Sequence, residues 1–94
     1  MSDGTGGIVE RRREPRLRAR ARAFMTRRGF PRLHGQVLDL SPNGMFVATG
    51  PMPIPEHHVV HVDLVHEAGV LAEIQRRAAI VVRRSGEGTA FKFF

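Results

Sequence analysis

Ninety-four residues, 41% of them hydrophobic, allow one small domain with a modest core and exclude a multi-domain enzyme. The chain has no cysteine, which removes disulfides, thiolate metal sites and a cysteine nucleophile and fits a reducing compartment. The formal charge is +6, yet ten of the fifteen basic residues lie between Arg11 and Arg32, while from Leu33 onward six acids face five bases. The excess is local, and a local basic cluster faces an anionic partner (nucleic acid, lipid headgroups or a phosphorylated small molecule) or is simply a solvated arginine face.

Residues 1–10 are polar and glycine-rich, without the apolar centre of a signal peptide, and are expected to be a flexible tail. No run of about 18 apolar residues occurs, so a soluble cytoplasmic protein without membrane association is expected. Residues 11–94 then form the folded domain. Residues 10–16 are highly charged, and Pro15 keeps Glu14 out of helical geometry, which predicts an extended, poorly ordered basic segment. Residues 17–25 alternate small or apolar side chains with Arg18, Arg20 and Arg22. A period of two predicts a half-buried strand; an Ala/Arg helix would scatter the arginines and leave no apolar stripe.

Residues 26–33, with Gly29 and Pro31, read as a hairpin loop, followed by strands over 34–40 and 45–49. The turn between them, Ser41-Pro42-Asn43-Gly44, has Pro to preset φ and Asn and Gly to accept a positive φ at the exit. Asp39 and Ser41, two apart at a strand end, project to one side and form a polar recognition corner beside the turn N–H groups. The plainer alternative is that both merely stabilise the turn as an Asx or Ser motif. Three alternating prolines make 50–55 a loop. Residues 58–66 alternate with Val60, Val62 and Leu64 on one face, and 67–69 turn the chain. The second half of 70–84 is β-branched and strand-like, whereas in its first half Ile74, Ala78 and Val81 also suit a helix. A sixth strand follows Gly86-Glu87-Gly88. Six short strands with hairpin-length connections predict an all-β fold, a six-stranded antiparallel β-barrel whose closure removes exposed edges.

His57, His58 and His61 invite a metal site, but on a strand His57 and His61 lie about 13 Å apart and His58 points the other way, so no metal is expected. No Ser-His-Asp set, phosphate-binding glycine loop or carboxylate pair stands out, so the chain reads as a binding module and not an enzyme.

Two motifs and their order resemble the PilZ family of bacterial cyclic-di-GMP receptors. Arg12-Arg13-Glu14-Pro15-Arg16 fits an Arg-x-x-x-Arg motif before the first strand, and Asp39-Leu40-Ser41-Pro42-Asn43-Gly44 fits Asp/Asn-x-Ser-x-x-Gly between the second and third. A Gly-x-Gly-x-x-Phe ending (Gly86, Gly88, Phe91) adds to the likeness, which covers residues 10–94. One departure is that many family members continue into a helix that closes the barrel mouth, a role the adjacent Phe93 and Phe94 would take over in part.

The resemblance implies that cyclic-di-GMP is the ligand and that Arg12, Arg16, Asp39, Ser41 and Gly44 hold it. A guanidinium fork matches guanine O6 and N7 and stacks on the base, and Asp39 accepts from guanine N1 and N2. The family also places at Arg11 an arginine that stacks on a second ligand molecule, which implies an intercalated cyclic-di-GMP dimer. Ligand binding would order the arginine segment and so signal to an effector protein that the sequence does not name. The alternative is a small-barrel single-stranded nucleic-acid binder, but such proteins stack bases on aromatic side chains, and this chain has no Tyr or Trp. A same-fold adaptor with a lost ligand site is a third reading, against which the intact motifs stand.

Overall fold

The computed structural model of the chain describes residues 21–68 and 71–94. Among the described residues six strands, β1 (Ala21–Thr26), β2 (Leu33–Ser41), β3 (Gly44–Ala48), β4 (Val59–Ala68), β5 (Leu71–Arg84) and β6 (Thr89–Phe93), make up the regular structure. They close into an antiparallel barrel in the order β1-β2-β3-β6-β5-β4, with β4 returning to β1. This is the expected fold class. The tail expected over residues 1–10, the basic segment over 10–16 and the strand residues 17–20 lie outside the described residues.

The core follows from strand periodicity. Ala21, Ala23 and Met25 of β1, Val60, Val62 and Leu64 of β4, and Phe91 and Phe93 of β6 alternate inward, so each strand contributes one face to a single cluster.

The segment over 50–55 is irregular, as its prolines dictate, but it is more than a connection. Met52 and Ile54 alternate with the prolines and turn into the core, Ile54 completely. They close the barrel end opposite the Ser41–Gly44 turn, where Arg84 Nη1 donates to the Met52 carbonyl (3.2 Å) and the Thr49 and Thr89 hydroxyls meet at 2.8 Å. At the turn end Phe93 is buried, with the Arg77 guanidinium 4.0 Å over its ring, whereas Phe94 is exposed. Of the two terminal phenylalanines, only Phe93 helps fill the mouth.

β5 is strand along its whole length, its first half included, because it pairs with β4 in unbroken register from Val59↔Ile80 to Ala68↔Leu71. The histidine geometry also differs from expectation. His57 precedes β4 with φ of 74°, and its N–H donates to the Val81 carbonyl (2.7 Å), so extended-strand spacing does not describe it. Among the described residues no group of three His, Asp or Glu side chains is placed to share a metal ion.

Candidate functional site

Two β-bulges shape the outer wall of the barrel. On β2, Gly35 and Val37 face inward; continued alternation would bury Asp39 and Ser41 as well. The register slips between Val37 and Asp39, opposite Val47 and Phe46, so Leu38 becomes the extra residue, 55% exposed, and Asp39 and Ser41 are turned outward. On β5 the same event falls between Val81 and Arg83, opposite Phe91 and Ala90. Val82 is the extra residue, 41% exposed, and Arg83 is turned outward.

Both displaced side chains belong to one row. Asp39 pairs with Phe46, Phe46 with Ala90 and Ala90 with Arg83, so a carboxylate and a guanidinium flank an aromatic ring and a small residue across β2, β3, β6 and β5. Three inter-strand spacings make this row about 14 Å wide. An open groove of about 420 Å³ lies along it, lined by Asp39, Ser41, Gly44, Met45, Phe46, Arg83 and Ala90. A Cβ on Gly88 would run into the Val47 carbonyl oxygen and sit 3.1 Å from the Phe46 ring, so glycine there lets the backbone close on β3 and leaves the ring its place beside the groove.

The turn at one end of the groove is tighter than its composition suggests. Pro42 and Asn43 alone connect β2 to β3, and neither Asn43 nor Gly44 has a positive φ, contrary to the expected exit conformation. Gly44 is required for a different reason. A Cβ there would run into the Phe91 carbonyl oxygen of β6, so glycine lets β3 approach its neighbour. The Ser41 hydroxyl accepts from the Asn43 N–H (3.3 Å) and donates to the Gly44 carbonyl (3.4 Å), as in a Ser turn. The Asn43 carbonyl accepts from the Phe93 N–H (2.8 Å), tying the turn to β6.

Of the six residues singled out in the sequence, Asp39, Ser41 and Gly44 therefore meet at one groove, and Arg11, Arg12 and Arg16 lie outside the described residues. Arg22, on the alternating basic strand, is exposed on a different wall and donates from Nη2 to His34 Nδ1 at 2.8 Å. Sequence reasoning missed Arg83, Phe46 and Ala90. Arg83 is one of a pair, Arg83-Arg84, that reads as a strand end, and only the cross-strand register singles out the first of the two.

A family model for the PilZ domain matches residues 10–94. The chain belongs to the PilZ domain family. No curated protein matches it. PilZ domains are a family of cyclic-di-GMP receptors and generally not enzymes. Among the described residues no helix is long and apolar enough to cross a membrane.

Proposed function

We propose that this PilZ domain is a cytoplasmic cyclic-di-GMP receptor that takes its ligand along the Asp39–Arg83 row and relays binding through the preceding basic segment. The observation that carries the reading is the pair of bulges, which deliver an acceptor and a cation to opposite ends of a single groove floored by an aromatic ring. Asp39 accepts from the N1 and N2 donors of a guanine, the Phe46 ring gives its face an apolar surface, and Arg83 donates to a phosphate or to guanine O6 and N7. Arg12 and Arg16 supply the remaining guanidinium forks from residues 11–16, and Arg11 stacks on a second ligand molecule in an intercalated pair. Ordering of that segment against the barrel changes the surface offered to an effector protein.

Calorimetric titration with cyclic-di-GMP, with GTP and an unrelated oligonucleotide as controls, tests this. Saturable binding of the cyclic dinucleotide alone is expected, with two ligands per chain and a shift toward one in Arg11→Leu. Arg12→Ala and Arg16→Ala are each expected to weaken binding at least about tenfold, since a hydrogen bond to a charged group is worth about 1.5–3 kcal/mol. Binding of the oligonucleotide without the cyclic dinucleotide would instead favour the nucleic-acid reading.

A further inference from the structure

The first half of β5 has a strand on one side only. β6 ends at Phe93, opposite Ala79, and the Phe94 N–H donates to the Ala78 carbonyl (3.0 Å); beyond that, from Leu71 to Arg77, no strand flanks the β5 side away from β4 among the described residues. Leu71 and Ile74 on this stretch are 72% and 64% exposed. Its backbone polarity follows from the bonds at its root. Val81 exchanges hydrogen bonds with His58 and His57 on the β4 side, so odd-numbered residues aim their N–H and C=O groups at β4. Ala72, Ile74 and Arg76 aim theirs at the open edge.

We propose that this edge is the interface for a second copy of the chain, paired antiparallel about a two-fold axis at Ile74. A two-fold normal to the sheet pairs residues of the same parity, which leaves few registers. Centring on Glu73 sets two carboxylates opposite each other, and centring on Arg76 sets two guanidinium groups opposite each other. Centring on Gln75 needs the Ala78 carbonyl, which Phe94 already occupies. Centring on Ile74 has none of these defects. Ile74 meets Ile74 of the second copy and Ala72 meets Arg76 in both directions, using the edge groups of all three residues, while on the other face Glu73 stands opposite Gln75 of the second copy, diagonal to its Arg77 on one side and its Glu73 on the other. Charged residues on an edge normally repel a pairing strand; in this register no two like charges stand directly opposite each other. The paired segment is short, so the dimer is weak and forms in the micromolar range or above, below the size of a standard stable interface.

Sedimentation of the full chain without ligand, over roughly micromolar to millimolar concentration, is expected to show the mass doubling. In Ile74→Lys, where two cations would meet on the axis, the chain is expected to remain monomeric with an unchanged strand spectrum. Because the chain lacks cysteine, single-cysteine variants read the register independently: Ile74→Cys is expected to cross-link with a short bis-maleimide, and Leu71→Cys, roughly 20 Å from its own counterpart in this register, is not. A wild-type chain that stays monomeric throughout, or a dimer in which Ile74→Cys fails to cross-link, would overturn the proposal.

Discussion

Gly44 illustrates how one residue can serve two unrelated demands. In the motif it reads as a conformational glycine, yet its φ is ordinary and its constraint is the Phe91 carbonyl of the neighbouring strand. Gly44→Ala is therefore expected to destabilise the barrel by about 1–3 kcal/mol, as for an overpacked site, which urea unfolding would register. Asp39 and Arg83 answer to the groove alone, since both are exposed and displaced outward by bulges. Asp39→Ala and Arg83→Ala are each expected to lower cyclic-di-GMP affinity about tenfold or more at unchanged stability. Loss of folding without loss of affinity in Asp39→Ala would return that residue to the turn-stabilising role that Ser41 already performs.

At the level of elements, the loop with three prolines is the least expected contributor. Ile54 is fully buried although it belongs to no strand, and Ile54→Ala is expected to cost about 2–5 kcal/mol by thermal or urea unfolding. A loss below about 1 kcal/mol would mean that the loop lies on the barrel without plugging it. All six strands could be anticipated from the sequence because alternation and turn residues are local signals. The first half of β5 was ambiguous because all of residues 71–76 are exposed, which erases the period of two that burial imposes. The bulges were invisible for a related reason. A slip of one residue is defined by the partner strand, and Val37-Leu38 or Val81-Val82 look like ordinary apolar pairs until Phe46 and Ala90 set the register. That is why Asp39 and Ser41 were legible from their motif, whereas Arg83, at the far end of the same row, was not.

At the scale of the whole barrel, the described residues form two three-stranded meanders, β1-β2-β3 and β4-β5-β6, joined by the 49–58 connection and sealed along two seams, β1 to β4 and β3 to β6. Each meander is local in sequence, but partners across a seam, such as Phe24 and Asp63 or Met45 and Phe91, are roughly forty residues apart. The cost of closing those long loops is met before the seams return any contact energy, so this topology makes assembly slow even for so short a chain. Stopped-flow dilution from urea is expected to show refolding in milliseconds to seconds, and completion within microseconds would mean that seam closure is not the barrier. During that interval β3, with Met45, Phe46 and Val47, and β4, with Val59 and Val60, are unpaired on their seam sides. A newly made chain thus passes through a sticky interval, and its folding yield should fall as its concentration rises.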